Sequence, residues 1–124
     1  MNTLLCTDVY KMGHMEQYHP DTTEVYSYYC SRSDKNYRQV VNFGLQYYVK
    51  KYLCQPITRE NAKEYLKVRE HILGGKNSPD VERKVYALAD LGYWPLEIKS
   101  IPEGMIAPVK NAQFTIRSTV PGFH

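Results

Sequence analysis

The sequence predicts an α+β domain, and three observations predict it. Apolar residues recur at helical spacing over residues 42–91. Strand-like runs rich in β-branched and aromatic residues lie on either side of that segment. Gly or Pro stands at most changes of pattern. The order reads as N-terminal helix, strand, helical segment, then antiparallel strands. At 124 residues, with 43% hydrophobic and 23% charged residues, the chain has the size of one domain, residues 1–124, and can bury a core without staples.

The elements follow in order. A short apolar lead-in at residues 2–6 precedes Asp8. The Asp8 carboxylate is placed to cap a helix from Val9 to Tyr18, because it can accept from the free backbone N–H groups of a first turn. Pro20 stops that helix. TEVYSYYC at 23–30 reads as a strand covered on both faces, and SRSDKN after it as a polar loop.

A helix is expected over 42–53, with Asn42 as its cap and Pro56 at its end. Leu45, Tyr48, Val49, Tyr52 and Leu53 make one continuous stripe on it. A second helix starts at Thr58, shows Ala62, Tyr65, Leu66, Ile72 and Leu73 on one side, and ends at Gly74-Gly75. A third opens with Ser78-Pro79, a cap followed by Pro at the first helical position. Asp80 and Glu82 suit its positive end, Val81, Val85 and Leu88 form its stripe, and Gly92 ends it. LEIKSI at 96–101 and QFTIRS at 113–118 then alternate as strands do, punctuated by PEG and KN. The chain stops at TVPGFH with no capping element after its last strand, which reads as a cut edge or a natural truncation.

Composition excludes several classes. Net charge is +3, with no basic run of five or more, so there is no nucleic-acid or anionic-membrane footprint. That balance suits a phosphate-bearing small substrate. Cys6, Cys30 and Cys54 form no CxxC and no Cys/His cluster, so a zinc site is not expected and the thiols are read as free. With no signal peptide and no long apolar run, a cytoplasmic setting is expected. Twelve Tyr against three Phe and one Trp suit half-buried surfaces, interfaces and ligand walls. No Gly-rich phosphate loop, HExxH, GxSxG or Cys/His nucleophile pair is present, and His14, His19, His71 and His124 are scattered. The residues alone therefore reach a soluble α+β domain with a capped, aromatic-bearing N-terminal helix and an Arg after a strand.

Five motifs in order reach further. TDVYK at 7–11 resembles the TD-x-YK opening of nicotinamide phosphoribosyltransferases. QYHPDTTEVYSYYCSR at 17–32, FGLQYYVKKYL at 43–53, LEIKSIPEGMIAP at 96–108 and QFTI at 113–116 are similar to successive segments of the same family, while 57–93 matches only in character. The resemblance implies that Tyr10 stacks on the nicotinamide ring, opposite an aromatic residue from the partner subunit. Asp8 would lie near the carboxamide, and Arg32 would hold phosphates of phosphoribosyl pyrophosphate. A flat pyridine is held best between aromatic faces, a carboxylate accepts from an amide NH₂, and a guanidinium forks onto phosphate. The bland readings are a core contact for Tyr10, an N-cap for Asp8 and a solvated loop position for Arg32. Arg38 and Lys35 compete with Arg32 for its role.

The family's C-terminal phosphoribosyltransferase barrel domain, which supplies the remaining site residues, has no counterpart in these residues. The resemblance also implies a homodimer or a pairing with that barrel domain. It implies Mg²⁺ and ATP, with no ligands for either identifiable here, no catalytic residue in this chain, and inactivity of the chain alone. A second reading is a non-catalytic binding or interaction domain that pairs with a full-length enzyme and modulates it. A related nicotinate transferase is disfavoured by the pairing of TD-x-YK with GLQY.

Overall fold

The computed structural model describes residues 1–32 and 36–123. A 3-10 turn (Thr3–Leu5) and a longer 3-10 helix (Val9–Glu16) precede strands β1 (Tyr26–Cys30) and β2 (Gln39–Val41). Helix α1 (Leu45–Tyr48) runs into a π-helical turn (Val49–Leu53), and α2 (Arg59–Leu73) and α3 (Pro79–Leu91) follow. Strands β3 (Leu96–Ser100), β4 (Ile106–Pro108) and β5 (Ala112–Ser118) close the order. The mixture of helices with antiparallel strands is the α+β class read from the sequence. The contacts divide the chain into two units, residues 1–22 with 52–94, and residues 23–51 with 95–124.

The first unit is helical, and local chemistry explains its boundaries. Thr58 and Asn61 form a reciprocal capping box: Thr58 Oγ1 accepts from the Asn61 N–H at 3.2 Å, and Asn61 Oδ1 accepts from the Thr58 N–H at 3.0 Å. Ser78 Oγ accepts from the Val81 N–H at 3.4 Å ahead of Pro79. Gly74 ends α2 in the left-handed region at φ 74°. The core gathers Leu4, Met12, Ile57, Tyr65, Val81 and Val85 with the small Ala62 and Ala89. Trp94 Nε1 donates to Thr3 Oγ1 at 3.2 Å and ties the first turn to the end of the unit.

Two expectations are corrected in this unit. The N-terminal helix is a 3-10 helix and stops at Glu16, and the Asp8 side chain makes no capping bond. Only Met12 of that helix is buried, so there is too little apolar stripe to favour a full α-helical face. On α2, Ile72 and Leu73 are 40% and 44% exposed, while the inward position is taken by Arg69 at 3%. On α3, Val81 and Val85 are buried and Leu88 packs partly buried against the core, as expected, with Ala89 buried beside them.

The second unit holds the strands. A three-stranded antiparallel sheet has the order β1-β5-β3, with Tyr28 opposite Thr115 and Ile98 opposite Ile116. β2 and β4 form a separate pair, with Val40 opposite Ala107. β1 was expected to be covered on both faces, yet Tyr26, Tyr28 and Tyr29 are 62%, 66% and 50% exposed. β1 is an edge strand, and Tyr29 satisfies its ring sideways, stacked on Phe114 with centroids 4.8 Å apart and planes 8° from parallel.

The cap of α1 also differs from expectation. Asn42 is buried, but its Nδ2 donates to the Ile101 carbonyl at 2.8 Å and caps nothing. Gly44, at φ 96°, takes the N-cap position, and the Glu103 carboxylate accepts from the Gly44 and Gln46 N–H groups at 2.8 and 2.9 Å. No residue of α1 or of the π-helical turn is buried, so the stripe from Leu45 to Leu53 stays partly open.

Candidate functional site

Asp8 and Tyr10 are brought together by the 3-10 helix of the first unit. Asp8 is extended at φ −68° and ψ 137°, and its carbonyl accepts from the Lys11 N–H at 3.0 Å to open the helix. Its Oδ2 pairs with Lys11 Nζ at 3.0 Å, and this hydrogen bond holds the Lys11 ammonium above its ordinary pKa. The same Lys11 Nζ stands 5.8 Å from the centre of the Tyr10 ring. His14 lies one turn on and meets the Tyr10 ring edge-on, with centroids 5.2 Å apart and planes at 66°. Tyr10 itself is 63% exposed. The motif thus presents an open aromatic face with a carboxylate and an ammonium at its side, and among the described residues Asp8 Oδ1 has no hydrogen-bond partner.

The helix that carries Tyr10 is anchored by a residue that the sequence did not single out. Arg69 reaches in from α2, donates from Nε to the Met12 carbonyl at 2.9 Å, and gives an Nη1 bond to Asn77 Oδ1 at 2.8 Å. Its Nη2 bonds Glu16 Oε2. Glu16 Oε1 in turn accepts from Ser78 Oγ at 3.1 Å, beside the start of α3. A 3-10 run of eight residues is long for that helix type, and this network grips it at Met12 and Glu16. The available signal was an Arg in the apolar stripe of α2 with a Glu left over near the N-terminus.

Arg32 belongs to the second unit. It is exposed just beyond the end of β1, where a register shift between Tyr29 and Cys30 breaks the ladder. The residue before it is held on two sides: the Ser31 carbonyl accepts from the Lys110 N–H at 2.9 Å, and Ser31 Oγ accepts from Gln113 Nε2 at 2.6 Å. Gln113 is only 5% exposed, so a buried amide anchors the base of the Arg32 loop. Arg38 is exposed, and its carbonyl accepts from the Val109 N–H at 3.0 Å. Lys35 and His124 lie outside the described residues.

The described residues gather no group of three or more His, Cys, Asp or Glu that could hold a metal ion. Among them no helix is long and apolar enough to cross a membrane.

The family model for the nicotinamide phosphoribosyltransferase N-terminal domain matches residues 2–76. A nicotinamide phosphoribosyltransferase of Xanthomonas campestris pv. campestris (strain 8004) is 33% identical over 120 residues, covering 95% of this chain and 25% of the relative. One of Acinetobacter baylyi (strain ATCC 33305 / BD413 / ADP1) is 29% identical over 137 residues, covering 99% of this chain and 27% of the relative. The chain thus spans about a quarter of the length of these relatives.

Proposed function

The chain belongs to the nicotinamide phosphoribosyltransferase N-terminal domain family, and on that premise we propose that residues 1–124 act as one domain supplying the pyridine wall and part of the phosphate grip of such a transferase. The reaction is formation of nicotinamide mononucleotide and pyrophosphate from nicotinamide and phosphoribosyl pyrophosphate, a step of NAD salvage in the cytoplasm. The observation that carries the reading is Tyr10: an aromatic face left 63% open on a helix whose neighbouring Met12 is buried and clamped.

In this reading the nicotinamide ring lies on Tyr10, and a second aromatic residue from a partner subunit closes the other face. Asp8 Oδ1 accepts from the carboxamide NH₂ while Oδ2 keeps its bond to Lys11. Arg32 donates to phosphate oxygens from the end of β1. The pyridine nitrogen then attacks C1 of the ribosyl group as the C1–oxygen bond breaks, and pyrophosphate leaves with the bonding electron pair. Positioning and charge neutralisation lower the barrier.

Mg²⁺ and ATP are implied by the family likeness, but the described residues offer no ligand cluster for a metal. In this reading the chain contributes Asp8, Tyr10 and Arg32, and further groups come from a C-terminal barrel domain and a second subunit.

Complementation tests the proposal. The chain, the separately produced remainder of the Xanthomonas relative, and their mixture are assayed for nicotinamide mononucleotide. The expected result is turnover by the mixture and none by the chain alone. Turnover by the pure chain would refute its dependence on other segments. A folded mixture without turnover that nevertheless shifts the rate of a full-length relative would favour a non-catalytic modulator instead.

A further inference from the structure

Lys110 stands out in the second unit. It occupies the turn between β4 and β5 at φ 67°, and among the described residues it alone combines positive φ with a side chain. A branched chain of backbone and Cβ is strained in that region, where Gly or Asn is the ordinary occupant. Asn111 is the very next residue, so a tolerant residue type is at hand one position away. Strain kept at such a position points to a role for the side chain.

The position of Lys110 indicates which role. Its N–H donates to the Ser31 carbonyl at 2.9 Å, and the Val109 N–H donates to the Arg38 carbonyl at 3.0 Å. The β4–β5 turn is thereby stitched to the backbone on both sides of the loop that starts at Arg32. These backbone bonds bring the segments of three cationic residues, Arg32, Arg38 and Lys110, beside one another, and all three are exposed. None pairs with a described carboxylate, whereas Lys11, Lys84, Arg59, Arg83 and Arg117 all do. Like charges on neighbouring segments repel, and a multivalent anion between them relieves that repulsion.

We infer that Lys110 is a second phosphate-binding residue beside Arg32, with Arg38 flanking, and that the three receive a pyrophosphate group. This rests on the phosphate role proposed for Arg32. The division of labour follows from the side chains: Arg supplies a planar fork for two oxygens, and Lys a compact mobile charge.

The test uses the ¹⁵N-labelled 124-residue chain titrated with inorganic pyrophosphate at low salt. Amide signals of Ser31, Arg32, Lys110 and Asn111 are expected to move saturably. Lys110→Gly removes the side chain and the backbone strain together, so it should keep or raise the melting temperature while weakening pyrophosphate binding about tenfold, the loss of one charge-assisted hydrogen bond. Lys110→Arg should retain binding. Wild-type binding in Lys110→Gly, with loss in Arg32→Ala, would overturn the inference and leave the Arg32 reading standing. Unchanged binding in both variants would sink the two together. No saturable shift in the wild type, or equal affinity for sulfate, would also overturn it.

Discussion

Arg69 Nε donates to the backbone carbonyl of Met12 at 2.9 Å, so a side chain from the middle of α2 holds the segment that carries Tyr10. The Arg69 side chain is 4% exposed and also bonds Glu16 and Asn77. A planar guanidinium can serve three acceptors in different directions, and a lysine ammonium at the end of a flexible stem cannot reproduce that fork. Arg69→Lys should therefore destabilise the first unit by roughly 1–3 kcal/mol, the range for losing hydrogen bonds to a charged group. Glu16 is 45% exposed, so solvent recovers part of that loss. Urea denaturation measures the change, and a midpoint identical to that of the wild type would show that the clamp contributes nothing.

A second relationship predicts an acid-sensitive helix start. Hydrogen bonds from the Gln46 N–H and then the Gly44 N–H hold the Glu103 carboxyl below its ordinary pKa. A folded-state pKa below the unfolded value means that this stabilisation is present above about pH 4.3, the unfolded glutamate range, and is lost as the pH falls through the lowered folded value. Glu103→Gln should flatten the acid limb of the stability curve while changing little at low pH. Melting temperatures of both proteins between pH 3 and 7, run side by side in about 50 mM salt so that screening is equal, would reveal it. Parallel curves would refute it.

Local signals in the sequence were legible. Thr58, Ser78-Pro79, Gly74 and Gly92 mark the limits of α2 and α3 because caps act within a few residues. What escaped was set by partners far along the chain. Glu103 caps α1 from 59 residues beyond Gly44, and Asn42 is turned away from that job by a carbonyl 59 residues away. Arg69 falls in the apolar stripe of α2, and its partner is Met12, 57 residues earlier, which takes its Nε. β1 is as aromatic as a doubly covered strand, and only its place at the sheet edge shows why its tyrosines stay open. Asp8, Tyr10 and Arg32 were singled out through motif resemblance. Chain physics alone made Asp8 a cap, whereas Lys11, three residues on, takes its carboxylate.

The exposed large hydrophobic residues of the second unit lead to an assembly prediction. Phe43 is 84% exposed, Tyr28 66%, Tyr37 65% and Ile106 61%. Exposed apolar surface of this kind favours association, and binding of any partner to the folded form adds stability by mass action. The isolated chain should self-associate as its concentration rises, and addition of a complementary barrel domain should suppress this. Light scattering across a concentration series checks it. A stable monomer at millimolar concentration would count against it.

The most specific prediction concerns how Tyr10 and Arg32 divide the two substrates. One wall of a stacking slot matters because an unsupported ring loses most of its contact area, and stacked aromatic pairs contribute roughly 0.5–1.5 kcal/mol beyond area burial. In the complemented enzyme, Tyr10→Ala should weaken nicotinamide use about three- to tenfold more than phosphoribosyl pyrophosphate use, by that energy. Tyr10→Phe should be mild, because the ring face does the stacking and no described residue bonds the hydroxyl. Arg32→Ala should show the opposite bias and raise the KM for the phosphate substrate most. Steady-state kinetics with each substrate varied in turn separates the two. If Tyr10→Ala left KM and kcat/KM for nicotinamide unchanged, the ring would be a surface residue of the 3-10 helix, and the pyridine wall would have to be sought on another of the exposed tyrosines.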